Sequence, residues 1–147
     1  MTMQRSVDQP TVMRLIRDRR KKTHLSYDRA GQLVPGRPIS GTRWRQLEDG
    51  YRTVRGFGRI PESAPAVTLA GMAYVTGVTP AELHAEGCDE AADDLARLIE
   101  DRAQDDGDTR AEAARMARTV PGLGARQRQV LEQEIALSLR RIREQGR

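Results

Sequence analysis

The sequence predicts an all-α protein, because helix-capping residues and apolar residues at helical spacing recur along most of its 147 residues. Val12, Leu15 and Ile16 fall on one side of a first helix. Segments 79–82 and 109–112 read Thr-Pro-Ala-Glu and Thr-Arg-Ala-Glu. Both fit a capping box, in which a threonine and a glutamate three residues later satisfy free backbone N–H groups. We therefore expect a helix to begin at each of these segments.

Two further short helices are predicted near the N-terminus. Ser26 and Ser40 are placed as N-caps, whose side chains accept hydrogen bonds from backbone N–H groups of the first helical turn. Segment 35–38, which reads Pro-Gly-Arg-Pro, cannot continue a helix, and Gly50 readily adopts the left-handed conformation that ends one. The predicted helices cover about residues 26–34 and 40–49, which is the layout of a helix-turn-helix.

The rest of the chain is divided by glycine and proline residues. Glycines, a proline and three arginines predict a long loop over residues 51–64. Five more helices are expected over about residues 65–77, 79–87, 89–104, 109–120 and 125–143. Segment 105–108, which contains three aspartates and Gly107, is expected to break the helix that precedes it.

Charge is divided unevenly along the chain. Residues 1–60 hold 14 Lys and Arg against 5 Asp and Glu, residues 61–108 hold 2 against 12, and residues 109–147 hold 9 against 4. A basic region beside an acidic one fits a protein that binds nucleic acid in one orientation, since phosphate repels the acidic part. The same charges equally fit the solvated faces of surface helices.

Several functional classes are disfavoured by what the sequence lacks. No segment approaches the ~20 consecutive apolar residues that cross a bilayer, and the N-terminus lacks the apolar core of a secretion signal. We therefore expect a cytoplasmic protein with no membrane partner. Cys88 is the single cysteine and the two histidines are widely separated, so neither a disulfide nor a zinc site is expected. Because no cluster of nucleophile, base or metal ligands is evident, the sequence predicts neither an enzyme nor a cofactor.

The last predicted helix carries more apolar surface than a small monomer usually buries. One stripe consists of Leu131, Ile135, Leu139 and Ile142, and a second of Val130 and Leu137. We therefore expect residues 89–147 to form a helical self-association segment and the protein to be a homodimer.

The N-terminal pattern resembles the Cro and phage-repressor type of helix-turn-helix protein, also called the xenobiotic-response-element type. The residues that carry the resemblance are Leu25-Ser26, Ile39-Ser40, Trp44, Leu47, Glu48-Asp49-Gly50, Leu69, Met72, Ala73, Gly77-Val78-Thr79-Pro80 and Leu83. The resemblance covers roughly residues 12–86. It implies a five-helix domain over residues 1–88 that binds double-stranded operator DNA as a dimer, with its third helix in the major groove.

The resemblance also implies roles for individual residues. The residues nearest base edges would be Gly41, Thr42 and Arg43, with Arg45 and Gln46 one helical turn further on. Phosphate contacts would come from Tyr27 and from Arg52, Arg55 and Arg59. The sequence departs from the family pattern in a longer turn before the third helix, in a longer loop after it, and in Gly31, which replaces the usual alanine.

Two functions follow from these expectations. The first is a sequence-specific transcriptional regulator of bacterial or phage type, acting as a repressor. The alternative is an antitoxin-like or adaptor protein whose C-terminal helices bind a protein partner. The exposed side of the third helix is basic, which favours the first.

Overall fold

The computed structural model describes residues 9–145. Helices make up 71% of the structure, which confirms the predicted class, and the sheet found in the described residues has two strands. The helices are α1 (Gln9–Lys22), α2 (Tyr27–Gln32), α3 (Gly41–Asp49), α4 (Ala66–Thr76), α5 (Pro80–Ala85), α6 (Asp89–Arg118) and α7 (Ala125–Gln145). The strands are β1 (Tyr51–Val54) and β2 (Gly58–Pro61).

Residues 51–61 form a hairpin, so the predicted loop over this segment is wrong. The antiparallel register pairs Tyr51 with Pro61 and Val54 with Gly58. Tyr51, Thr53, Val54 and Ile60 are of residue types that favour strands. Arg52 and Arg59 stand between or beside them in the two strands. The glycines that predicted a loop form only the tip, where the Phe57 N–H donates to the Val54 carbonyl at 3.0 Å.

Helix α6 continues through segment 105–108, where a break was expected. Gly107 lies inside the helix, although a glycine there costs about 1 kcal/mol relative to alanine. Thr109, Ala113 and Ala117 are buried at four-residue spacing, and this burial favours helix across the weak segment. Thr109 is therefore a mid-helix residue rather than an N-cap, and its hydroxyl accepts a hydrogen bond from the Arg143 guanidinium at 2.6 Å.

The chain groups into two compact units, Met1–Ile99 and Glu100–Arg147. The division falls inside α6, later than the predicted boundary after Cys88. The reason is that Ala91, Ala92 and Leu95 are buried in the core of the first unit.

Six helices contribute buried residues to the core of the first unit, and five of them supply its largest apolar side chains. Its largest fully buried members are Trp44, Ile16, Leu47, Met72, Leu83, Leu95 and Val12. Burial of this set orients α3, because Trp44 and Leu47 lie on the side of α3 that faces the core.

The second unit pairs the end of α6 with α7. Arg140 forms an ion pair with Asp106 at 3.4 Å, and Arg143 forms one with Glu112 at 3.3 Å. The C-terminal part of α7 therefore lies beside residues 106–112, as in an antiparallel helical hairpin. No described residue of α7 is buried. Neither unit contains, within residues 9–145, a helix with the length and apolar character needed to traverse a membrane.

Candidate nucleic-acid interface

Helices α2 and α3 begin at the predicted caps and α3 ends at the predicted residue, whereas α2 ends at Gln32, two residues before the predicted end. The Ser26 hydroxyl accepts from the Arg29 N–H and the Ser40 hydroxyl accepts from the Arg43 N–H, both at 3.1 Å. Gly50 ends α3 with φ of 80°, in the left-handed region that glycine adopts at little cost. In each short helix the cap side chain thus satisfies one N–H group of the first turn.

Two glycines allow α2 and the start of α3 to approach closely. A Cβ atom on Gly31 would lie 2.1 Å from the Ile39 carbonyl oxygen, and the Ile39 N–H donates to the Gly31 carbonyl at 3.1 Å. A Cβ atom on Gly41 would lie 2.0 Å from a carboxylate oxygen of Asp28. The longer turn brings Ile39 back against α2, so the position of Gly31 has no room for a side chain.

The outer side of α3 carries the residues that were predicted to read bases. Thr42 and Arg45 are exposed, and Arg43 and Gln46 are half-buried. Gly41 differs from them, because it is buried against α2. With no side chain and little accessible backbone, Gly41 is placed to set the distance between the helices rather than to contact a ligand.

A buried carboxylate fixes the end of α3 against α1. Glu48 accepts from Arg20 Nε at 2.9 Å and Nη2 at 3.0 Å, from Arg17 Nε at 3.1 Å and from Trp44 Nε1 at 2.6 Å. The hydrogen bonds to Glu48 raise the pKa of Arg20, against an opposing effect of burial. Each carboxylate oxygen of Glu48 thus accepts two hydrogen bonds, and the network holds α3 in one orientation.

A second carboxylate joins α3 to the hairpin. Glu62, directly after β2, forms ion pairs with Arg43 at 2.8 Å and with Arg52 Nε at 2.6 Å. The hydrogen bond from Arg43 lowers the pKa of Glu62, with smaller coulombic contributions from both arginines. Arg43 and Arg52, which the sequence assigned to base and phosphate contacts respectively, are thus brought together on one counter-charge.

The remaining residues predicted to bind phosphate are spread over two elements. The three hairpin arginines, Arg52, Arg55 and Arg59, are exposed, and the Arg59 guanidinium lies 4.4 Å from the centroid of the Tyr51 ring. Tyr27 is half-buried at the start of α2, with the Arg20 guanidinium 4.2 Å from its ring centroid. Its ring packs against the core, so only part of Tyr27 is accessible to a ligand.

The predicted dimerisation residues lie in the second unit. Leu131, Ile135 and Leu139 are half-buried, whereas Ile142 is 65% exposed. On the other stripe Val130 and Leu137 are about half exposed. Both apolar stripes of α7 therefore retain accessible surface in a single chain.

Sequence reasoning missed two residues of this surface, Glu62 and Phe57. The pairing of Glu62 with Arg43 and Arg52 depends on the hairpin, which was not predicted, so no local pattern could indicate it. The signal for Phe57 was present in the run Arg-Gly-Phe-Gly-Arg, in which an aromatic residue stands between two glycines and two arginines.

Other kinds of site receive little support from the described residues. No group of three or more His, Cys, Asp or Glu within residues 9–145 is arranged to hold a metal ion. Burial, with smaller contributions from Glu86 and Asp89, raises the pKa of the Cys88 thiol, which disfavours the nucleophilic thiolate. In comparisons with protein-family models, curated proteins and solved structures, no match to this chain was found.

Proposed function

We propose that the first unit is a helix-turn-helix domain that binds double-stranded DNA with α3 in the major groove. The observation that carries this proposal is the position of the outer side of α3. It presents Thr42, Arg45 and Gln46 beside a hairpin whose charged side chains are all arginines. Arg and Gln side chains can form paired hydrogen bonds with guanine and adenine edges respectively.

Affinity and specificity would come from different residues. Arginines of the hairpin would neutralise phosphates and release counterions, which strengthens binding to DNA of any sequence. Residues of α3 would contact base edges and so discriminate among sequences. In this proposal Arg43 exchanges its Glu62 partner for DNA or shares it, while Arg45 has no acidic partner among the described residues.

The regulator would act as a homodimer that represses transcription. The support is the exposed apolar surface of α7, where Val130, Leu137 and Ile142 are each more than half exposed. A second copy of the same two-helix unit would cover this surface and form a four-helix bundle. Two DNA half-sites would then lie about 34–36 Å apart, or a multiple of that distance.

The same apolar surface favours one alternative function, that of an antitoxin-like or adaptor protein. In that case Val130, Leu137 and Ile142 would be covered by a different protein, and DNA binding would be secondary. The two functions differ in the oligomeric state of the purified chain. A monomer at micromolar concentration would favour the alternative.

The test begins with selection of bound duplexes from random DNA by the full-length chain. Arg45→Ala and Gln46→Ala should each weaken binding to the selected duplex by about 1–3 kcal/mol and barely change binding to a scrambled duplex. Arg126→Ala, which removes one exposed charge from α7, is the control and should leave the preference unchanged. Equal weakening on both duplexes, or no change on either, would show that α3 does not read the sequence.

A further inference from the structure

The most exposed large apolar side chain of the described residues stands at the tip of the hairpin. Phe57 is 81% exposed. The tip is nevertheless an ordered turn, because the Phe57 N–H donates to the Val54 carbonyl and strand pairing resumes at Gly58. A hydrogen-bonded turn thus presents a large apolar side chain to solvent.

The tip is also narrow. Gly56 has φ of 87° and Gly58 has φ of 73°, which are backbone conformations that other residues adopt only with strain. Neither glycine carries a side chain, so the Phe57 ring has no bulky neighbour along the chain. The tip of the hairpin thus carries one apolar side chain, Phe57, flanked by glycines, and one arginine, Arg55.

Arginines lie on both faces of the hairpin, and one of them, Arg52, shares the Glu62 carboxylate with Arg43. Because Arg52 pairs with Ile60 and Thr53 pairs with Arg59, the alternation of side chains places Arg52 and Arg59 on opposite faces of the ribbon. Arg55 is exposed at the tip and has no acidic partner among the described residues. Residues 51–61 contain no Asp or Glu.

We propose that the hairpin enters the DNA minor groove and that Phe57 wedges against a base step there. This inference rests on the proposed function. The minor groove is about 6 Å wide, which favours a narrow tip, and phosphates line both of its walls, which complements a ribbon with an arginine on each face. Apolar side chains, phenylalanine among them, insert between base steps in the minor groove and kink the duplex.

A lipid surface or a pocket in another protein also accepts an exposed phenylalanine. Neither of them provides two facing rows of negative charge at the separation of a groove. The arrangement of arginines on both faces, with Phe57 between them at the end, therefore favours DNA as the occupant.

The experiment uses the full-length chain and the duplex that the wild-type protein selects from random DNA. Phe57→Ala should weaken binding roughly 5- to 150-fold, the range that corresponds to loss of one aromatic contact with a base. In hydroxyl-radical footprinting, which reports on sugars in the minor groove, the complex of Phe57→Ala should show one protected patch fewer than the wild-type complex. Protection of guanine N7 against methylation, which reports on the major groove, should remain.

Two matched variants sharpen the result. Phe57→Leu keeps an apolar wedge and should retain most of the affinity and the protected patch. Val67→Ala shortens an apolar side chain of α4 that is 74% exposed, and it should change neither measurement.

The outcomes separate the two proposals. If the wild-type chain selects a duplex but Phe57→Ala leaves its affinity and its minor-groove protection unchanged, the wedge is wrong and the DNA-binding function stands. If the wild-type chain selects no DNA, both are wrong. Binding to anionic phosphatidylserine vesicles that is lost in Phe57→Ala, with DNA binding unchanged, would overturn the wedge in favour of a lipid surface.

Discussion

The two compact units differ in how much of their apolar surface they bury. The first unit encloses side chains from six helices, with Trp44, Leu47 and Leu95 fully buried. The buried residues of the second unit in the described part of the chain are Thr109, Ala113 and Ala117, all of them small. The first unit has a core of its own, whereas the second leaves large apolar side chains of α7 exposed. Substitutions should therefore act on folding in one unit and on association in the other.

The largest effect is expected from Trp44→Ala. The Trp44 side chain is 0% exposed and donates to buried Glu48, so its loss leaves a cavity and an acceptor with one donor fewer. The free energy of unfolding should fall by about 3–5 kcal/mol. Urea denaturation followed by circular dichroism measures this. Phe57→Ala, which removes an exposed ring, is the control and should change stability by less than about 0.5 kcal/mol.

A smaller loss is expected from Gly31→Ala. An added methyl group would meet the Ile39 carbonyl oxygen, so α2 and the turn must move apart. The free energy of unfolding should fall by about 1–3 kcal/mol, the usual cost of overpacking. Gly107→Ala, which adds the same methyl group where nothing lies within 4 Å, is the control. Unchanged stability in Gly31→Ala would mean that the close approach of Gly31 and Ile39 is not required.

In the second unit, Leu137→Glu should act on association. Leu137 is 52% exposed, and a dimer that covers it in both chains would lose about 2 kcal/mol when the side chain becomes charged. Sedimentation equilibrium should show a dissociation constant raised roughly 30-fold. Gln133→Glu, at an exposed polar position of α7, is the control for charge. If wild type and Leu137→Glu are both monomers, the dimer is wrong.

Gly107→Ala should stabilise α6 modestly. Gly107 has nothing within 4 Å of the position that a Cβ atom would take, and it lies inside the helix. The free energy of unfolding should rise by about 0.5–1 kcal/mol. Gly50→Ala should do the opposite, because φ at Gly50 is 80°. A destabilising Gly107→Ala would indicate that the segment is not helical in solution.

The smallest effect depends on pH. The pKa of Glu82 is lowered from 4.5, mainly by the hydrogen bond from Arg19 and in part by its capping bonds with Thr79. The ionised form is thus favoured in the folded state. Glu82 contributes stability above about pH 4.5, and this contribution is lost as the pH falls through its lower folded pKa. Unfolding curves of wild type and Glu82→Gln should differ at pH 7, and the difference should shrink as the pH falls below 4.5. A constant difference over that range would contradict the pairing.

Local signals predicted much of the first unit. The caps at Ser26, Ser40 and Thr79 and the helix end at Gly50 are all present, because each depends on a few adjacent residues. The hairpin was missed because its turn-forming glycines outweighed a short strand pattern. The α6 break was wrong because burial at Thr109 and Ala113 overrides local propensity. The assigned DNA contacts and the dimer remain predictions, and the pairing of Glu62 with Arg43 depends on a fold that no local pattern encodes.

The position of Trp44 has a practical consequence for measuring these differences. It is the single tryptophan of the chain, and its indole N–H is held by Glu48 inside the first unit. Its emission therefore reports on melting of that unit alone, while far-ultraviolet ellipticity sums the helices of both. If the second unit melts at its own, concentration-dependent temperature, the two optical signals will diverge as the protein is diluted. The difference between the melting curves from tryptophan emission and from ellipticity would then report on association without any label.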